Sequence, residues 1–254
     1  MAGYDANFYD SAATDLGRTS AAVVSAEVLT YLTPSSVVDL GCGNGAWVWA
    51  FAQRGIEDYL GVDGPWVNTD WLDIPAAKFR HDDLAVGASI DRTFDLAISV
   101  EVGEHLPAAS AKGFVATLTR AAPVVLFSAA IPYQGGTGHV NEQWPSYWAE
   151  KFAAHGYVPV DVLRRKLWDR EDVAYYYRQN LTFYVRESAL GDYPALQQGY
   201  EETGGTLPDL IHPEVWTRRS LQPVNVPRIV GRERAERLRD VVNNQRRRFA
   251  RHGG

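Results

Sequence analysis

The chain has 254 residues, with 25 lysines and arginines against 31 aspartates and glutamates, for a formal net charge of −6. Hydrophobic residues make up 46% and charged residues 22%, which is ordinary for a globular protein and excludes a disordered chain. The acidic balance argues against general affinity for nucleic acid, and the single cysteine excludes an internal disulfide and fits a reducing compartment.

The first 36 residues precede the first strand pattern. Residues Thr19 to Leu32 predict an amphipathic helix that ends before Pro34. No basic segment followed by an apolar one opens the chain, and the longest apolar run, around residues 124–131, is too short to span a bilayer. We therefore expect a cytoplasmic protein without a membrane partner.

The central stretch, residues 37–46, reads VVDLGCGNGA. Its apolar residues at 37–40 predict a strand buried on both faces, as in a parallel sheet. The glycines at 41, 43 and 45 allow a ligand to approach the main chain, and residues 46–54 predict a helix whose first amide groups point into the turn. A ligand site is expected there.

Two cofactor classes use such a turn. Residues 41–46 fit the dinucleotide pattern G-x-G-x-x-G/A, and Asp63 lies at the distance expected of an acid that holds a ribose. Asp39, two residues before the first glycine, instead completes the pattern D-x-G-x-G-x-G. This pattern resembles the first motif of the class I S-adenosylmethionine-dependent methyltransferases.

The resemblance continues in chain order through three further stretches, Tyr59–Gly64, Asp82–Leu84 and Phe94–Leu106, which are similar to the second, third and fourth motifs of that family. It implies an α/β, Rossmann-like class I methyltransferase fold. Its mostly parallel seven-stranded sheet would carry helices on both faces.

The resemblance also implies S-adenosylmethionine as the cofactor and assigns residues to each part of it. The turn would bind it through Asp39, Gly41, Cys42 and Gly43. Asp63 and Gly64 would hold the ribose, and Asp83 and Leu84 the adenine. The methionine end would lie near Val100, and Tyr9 and Arg18 would approach it from an N-terminal leader that folds over the cofactor.

The remaining elements alternate between helix and strand, as in a covered parallel sheet. Helices are predicted at 107–120 and 146–155, and strands at 124–130, 157–163 and 180–186, the last one antiparallel.

Residues 187–227 are proline-rich and predict a loop-rich segment. Residues 228–254 carry nine arginines against three acidic residues, which predicts a solvated basic helix, with a homodimer-forming arm as the alternative. The expected division is a leader at 1–36, a core at 37–186 and a C-terminal segment at 187–254.

Methyl transfer requires an acceptor held in line, exclusion of water and, for a hydroxyl acceptor, removal of a proton. The acceptor pocket is expected where strands four and five end, near residues 101–105 and 131–148. His139 is the candidate general base, because its ordinary pKa suits neutral pH; the alternative is a loop histidine that orients Asn141. The residues expected to line the acceptor pocket are Tyr133, Gln143, Trp144 and Tyr147.

A second hypothesis concerns the spacing E-x-x-E-H. On one turn of a helix, Glu101, Glu104 and His105 would share a divalent cation, with His139 as a fourth ligand. The spacing resembles that of metal-assisted O-methyltransferases of quinone biosynthesis and of small-RNA 2′-hydroxyls. It also occurs in relatives without a metal, where the histidine packs and the glutamate faces the cofactor. Without a metal, Glu101 and His105 are expected to assist His139 in catalysis.

These observations favour a methyltransferase that acts on the oxygen of a small hydroxylated acceptor, because residues 131–148 resemble the acceptor loop of a bacterial branch acting on sugars and secondary metabolites. Two alternatives stay open at this point. One is a protein that binds S-adenosylmethionine without transferring its methyl group, and the other is an NAD-dependent oxidoreductase. An RNA acceptor is disfavoured by the acidic body of the chain.

Overall fold

The computed structural model describes residues 12–221. Seven strands form a single sheet: β1 (Ser36–Leu40), β2 (Asp58–Asp63), β3 (Phe79–His81), β4 (Leu96–Val100), β5 (Val124–Ser128), β6 (Tyr157–Val160) and β7 (Thr182–Arg186). Their order across the sheet is β3-β2-β1-β4-β5-β7-β6. All pairs from β3 to β5 are parallel, whereas β7 runs antiparallel to both β5 and β6. The predicted sheet and its antiparallel last strand are confirmed.

Eight α-helices lie in the described part of the chain: α1 (Ala12–Val28), α2 (Ala46–Ala52), α3 (Ala111–Ala121), α4 (Pro145–Ala153), α5 (Leu163–Leu167), α6 (Tyr175–Asn180), α7 (Pro194–Thr203) and α8 (Pro213–Leu221). Short 3-10 helices occupy Thr69–Trp71, Ala76–Lys78, Gly103–His105, Ala108–Ser110 and Glu187–Asp192. None of the described helices is both long and apolar enough to cross a membrane.

The core has two layers because successive strand residues point to opposite faces of the sheet. On one face, Val37 packs in a cluster with side chains of α1, α2 and α5. On the other face, Val38 packs in a cluster with side chains of α3 and α4. Strands β1, β4 and β5 have five residues each, and every one of these residues is buried. Helices therefore cover both faces, as the continuously apolar strands predict.

The observed boundaries differ from the predicted ones where local hydrogen bonds end an element. Helix α1 ends at Val28 rather than near Leu32, because its last turn tightens and the Thr30 hydroxyl donates to the Glu27 carbonyl at 2.7 Å. Strand β6 ends at Val160 rather than at residue 163. The chain then turns into α5, which the sequence analysis did not predict.

The segment after β7 is less loop-like than expected. A 3-10 helix and then α7 and α8 occupy much of residues 187–221. Pro194 and Pro213 are the first residues of α7 and α8, positions where the missing N–H costs nothing. Proline thus marks helix starts here, not loops. Of the described residues, 12–215 belong to one compact unit and 216–221 to a second. The arginine-rich residues 228–254 lie outside the described residues, and the three-part division of the chain stays a prediction.

Candidate active site

The glycine turn lies at the carboxyl end of β1, next to β4, where successive strands lead away in opposite directions across the sheet. Such a switch point is where open α/β sheets bind their ligands. Gly41 has a φ of +94°, and a Cβ built on it would lie 2.4 Å from Cγ2 of Val102. A Cβ on Gly43 would meet nothing within 4 Å. The turn is therefore closed on the side of Gly41 and open at Gly43, as a cradle for a ligand requires.

Two acidic side chains flank the turn. Asp39 in β1 is 1% exposed, and within the described residues its Oδ2 has no hydrogen-bond partner. Burial, and then the nearby carboxylate of Asp63, raise the pKa of Asp39 well above its usual range. Asp63 at the end of β2 accepts hydrogen bonds from the amides of Gly43 at 2.7 Å and Gly64 at 2.6 Å. It thereby ties the end of β2 to the open part of the turn.

The residues expected to bind the adenosine follow β2 and β3, at the same end of the sheet as the glycine turn. The Trp66 ring occupies the space where a Cβ on Gly64 would stand, and its side chain also hydrogen-bonds Asp63. Leu84 is 3% exposed, whereas Asp83 is exposed and accepts from the amide of Ala85 at 2.9 Å. The cysteine of the turn, Cys42, is 5% exposed, and Val100 is 8% exposed at the end of β4.

The leader contributes one polar contact near the turn. Arg18 of α1 donates through Nε to Oδ2 of Asp73 at 3.0 Å. The same carboxylate oxygen accepts from Nδ2 of Asn44, a turn residue, at 2.8 Å. Arg18 thus reaches the turn through Asp73, a residue that the sequence analysis did not single out. Tyr9 lies outside the described residues.

Glu104, His105 and His139 form a compact cluster beside the end of β4. Each offers a ligand atom, and these atoms lie within 4.8 Å of one another. Glu104 is fully buried; within the described residues its carboxyl group forms no hydrogen bond of regular geometry, although the Ala130 amide and the Glu101 carboxyl group interact with it. Burial, and then the charge of Glu101, raise the pKa of Glu104 well above its usual range. Burial lowers the pKa of His105 to about 4, assisted by His139, so its imidazole is neutral.

Glu101 does not join this cluster, contrary to the predicted single helical turn. The 3-10 helix begins only at Gly103, and Glu101 has a left-handed backbone with φ +55°. Its carboxylate turns instead to Gln134, whose Nε2 donates at 2.8 Å, and to Asn180, whose Nδ2 donates at 3.1 Å. Glu101 therefore lies outside the group of Glu104, His105 and His139, although its carboxyl group contacts that of Glu104.

His139 is held in a loop that is docked on the 3-10 helix. The carbonyl of Glu104 accepts from the amides of Val140 at 2.8 Å and Asn141 at 3.0 Å. Nδ1 of His139 lies 3.0 Å from Oε1 of Glu142, and its side chain is 11% exposed. A carboxylate on Nδ1 fixes the ring and leaves Nε2 to act on something else. The sequence analysis missed Glu142, although its i,i+3 spacing from His139 was a usable signal.

The four residues expected to line the acceptor pocket lie in different environments. Tyr133 is 72% exposed, and Gln143 donates to Oδ1 of Asn141 at 3.0 Å. Trp144 is half-buried directly before α4. Tyr147 packs edge-to-face on Trp148 with ring centroids 5.1 Å apart.

Comparisons with known proteins agree with this geometry. Residues 16–170 match a family model described as "Methyltransferase domain". The chain is similar to magnesium protoporphyrin IX methyltransferase from Synechocystis PCC 6803: with bound SAM, that structure is 16% identical at a TM-score of 0.50, and the match covers 73% of this chain and 86% of that one. With bound SAH, the same enzyme is 16% identical at a TM-score of 0.50, and the match covers 68% of this chain and 84% of that one.

The methyltransferase domain of bacterial CtHen1-C is 18% identical at a TM-score of 0.50, and the match covers 67% of this chain and 98% of that one. At such identities these likenesses show the fold alone. No curated protein matches the chain.

Proposed function

The chain belongs to the methyltransferase-domain family and is an S-adenosylmethionine-dependent methyltransferase of the class I fold; from this premise we propose that it methylates a hydroxyl group of a small acceptor, a sugar or a secondary metabolite. The observation that carries the proposal is the pair of His139 and Glu142. This pair supports the proposal because it would supply an oriented base in the loop after β5, beside the switch point of the sheet.

The residues around the turn fit the cofactor. Gly43 leaves room for a ligand, and Gly41 excludes a side chain on the closed side. Asp63 is fixed by two amide donors and the Trp66 side chain and keeps acceptor capacity for a ribose hydroxyl, while Oδ2 of Asp39, which has no partner in residues 12–221, offers a further polar atom. When bound, the cofactor supplies a methyl group on a positively charged sulfur, which is a good leaving group.

The protein must then take the acceptor proton. Glu142 holds Nδ1 of His139, so Nε2 receives the hydroxyl proton as the oxygen attacks, and Glu142 stabilises the imidazolium that forms. His105 stacks edge-to-face on His139 with centroids 4.8 Å apart and, being neutral, does not oppose that charge. Tyr133, Gln143, Trp144 and Tyr147 are proposed to surround the acceptor.

The test is a screen of hydroxylated small molecules for transfer of an isotopically labelled methyl group, followed by variants on each acceptor found. His139→Ala should lower turnover by ~10²–10⁴ while leaving cofactor affinity unchanged. His155→Ala, on the exposed turn after α4, is the matched control and should keep parental turnover. A His139→Ala enzyme as fast as the parent would remove His139 from the mechanism, and transfer only to amines would overturn the hydroxyl acceptor.

A second candidate is a metal-assisted version of the same reaction, favoured by the buried carboxyl group of Glu104, which forms no ion pair across residues 12–221. A buried carboxylate without a counter-charge is costly, and a cation shared with His105 and His139 would offset that cost. Glu142 on Nδ1 of His139 matches the carboxylate that commonly supports a metal-binding histidine. Two imidazoles and one carboxylate suit Zn²⁺ or Fe²⁺ better than Mg²⁺.

The two candidates exclude each other, because a cation on Nε2 of His139 leaves no lone pair for a proton. Calorimetric titration of Zn²⁺, Mn²⁺ and Mg²⁺ into protein saturated with S-adenosylhomocysteine separates them. Binding that is lost in Glu104→Gln and in His105→Asn supports the metal, and chelation should then abolish transfer. Absence of binding leaves proton removal to His139.

A further inference from the structure

Glu101 is the first residue after β4, and its backbone conformation is unusual. Its φ of +55° lies in the left-handed region that residues with a side chain seldom adopt. Its amide donates to both the carbonyl and the hydroxyl of Ser128, each at 3.0 Å, which holds this conformation in place. Strained backbone that is stabilised in this way often belongs to a binding site. Here it directs the carboxylate towards Gln134 and Asn180, and the carboxylate also contacts the carboxyl group of Glu104.

Two amide side chains fix that carboxylate. Nε2 of Gln134 donates to Oε2 of Glu101 at 2.8 Å, and Nδ2 of Asn180 donates to Oε1 at 3.1 Å. Asn180 also donates to Oε1 of Gln134 at 2.9 Å, which closes the network. Burial raises the pKa of Glu101, whereas Asn180, the Ser128 hydroxyl and Gln134 favour its ionised form and hold the carboxylate in one orientation. They do not cancel its charge.

Across residues 12–221, the Glu101 carboxylate forms no ion pair with a lysine or an arginine, whereas Asp73 beside the turn is paired with Arg18. A half-buried, oriented carboxylate without a cation is therefore available to a positively charged ligand.

The cofactor brings such a charge to this place. Asp63 at the end of β2 is suited to the ribose, so the rest of the molecule extends from β2 past the β1 turn towards β4. Val102, the residue after Glu101, already lies against Gly41 of the turn. The end of β4 is thus the side on which the sulfur is expected. In S-adenosylmethionine this sulfur is positively charged, and in the product S-adenosylhomocysteine it is neutral.

We propose that the Glu101 carboxylate distinguishes the cationic cofactor from the neutral product, and that Gln134 and Asn180 are its positioning residues. Loss of the sulfur's charge on methyl transfer removes the attraction, so the product leaves more readily than the cofactor. The inference rests on the cofactor half of the proposed function and does not depend on the acceptor.

The test is calorimetric titration of three ligands into the full-length chain: S-adenosylmethionine, S-adenosylhomocysteine and sinefungin, in which a cationic amine replaces the methylated sulfur. Glu101→Gln should weaken both cationic ligands about ten-fold and the neutral product about two-fold or less, as expected for one unit charge within about 10 Å in a protein-like dielectric. Gln134→Leu and Asn180→Leu should each reduce the same ratio, because the carboxylate loses a donor that orients it.

Glu150→Gln is the control, since it makes the same chemical change at an exposed residue of α4 and should leave the affinity ratio at its parental value. Equal weakening of charged and neutral ligands in Glu101→Gln would mean that Glu101 only supports the fold, and an unchanged ratio would mean that it does not sense the sulfur. Either result overturns the inference. Both are distinct from a failure of the proposed function, which concerns transfer to an acceptor and is measured separately.

Discussion

At the glycine turn, substitutions of Gly41 and Gly43 should affect different properties: the first mainly the stability of the fold, the second mainly the binding of the cofactor. Gly41→Ala would place a Cβ 2.4 Å from Val102 in a left-handed backbone, so it should destabilise the protein by more than the ~1–2 kcal/mol of the backbone strain alone. Gly43→Ala meets open space, so it should cost only about that strain while filling the space that the cofactor needs.

Denaturant unfolding and titration with S-adenosylhomocysteine check both variants. We expect the greater loss of stability in Gly41→Ala, and in Gly43→Ala a loss of affinity that its modest change in stability does not explain. If Gly43→Ala binds the ligand as well as the parent does, the ligand does not approach the backbone there.

His105 gives the protein a pH-dependent stability. Its pKa is lowered from 6.5 to about 4 in the folded chain, so between these values the unfolded chain binds a proton that folded His105 does not. Stability should therefore fall as the pH drops through this window, by up to about 3 kcal/mol from this group. His105→Gln should remove that part of the slope.

The measurement is the unfolding free energy of parent and His105→Gln from pH 7 to pH 4. Glu104, whose raised pKa acts in the opposite direction above pH 4.5, is present in both proteins, so its own contribution largely cancels in the difference. His155→Gln, on the surface, is the control. Parallel curves for parent and His105→Gln would show that His105 is not kept neutral by the fold.

At the scale of elements, Asp73 links helix α1 to the turn. It accepts from Arg18 of α1 and from Asn44 of the turn. Since Arg18 is 42% exposed, Asp73→Ala should reduce global stability by less than about 1 kcal/mol. Hydrogen exchange at residues 41–46 should nevertheless accelerate, because the turn loses a side-chain anchor.

Asp58→Ala is the matched control for this variant. It also removes an ion pair, with Arg92, but at the start of β2, far along the strand from the turn. Equal acceleration of exchange at 41–46 in both variants would show that Asp73 does not anchor the turn.

The elements that sequence predicted well are those whose signals are local. The strand at 37–40, the glycines and the following helix lie within about one supersecondary unit, so their pattern is complete in a short window. The Glu101 network joins residues 33 and 79 positions apart, which no local spacing reveals. Helix α6 was missed because its three consecutive tyrosines at 175–177 favour a strand by propensity.

At the scale of the whole molecule, a buried ion pair secures the segment after α7. Arg164 and Asp161 are 2% and 5% exposed and are joined through Nε at 2.7 Å, and Nη1 of Arg164 also donates to the carbonyl of Pro208 at 3.1 Å. Arg164→Ala would leave Asp161 buried without a counter-charge and should cost about 3–5 kcal/mol of unfolding free energy.

The double variant Arg164→Met with Asp161→Leu removes both charges and should recover most of the loss in the same denaturant experiment. A single variant that is as stable as the parent would show that water reaches Asp161. The pair lies where the chain leaves β6 and enters α5.

The lone cysteine of the glycine turn has a practical consequence. Cys42 is buried with its sulfur beside Gly61, and burial raises the pKa of its thiol. It should react with an alkylating reagent only when the turn opens, and the reaction adds a single label because the chain has no other thiol. Labelling rates would then report the opening of this turn in solution, and a bound nucleoside should slow them.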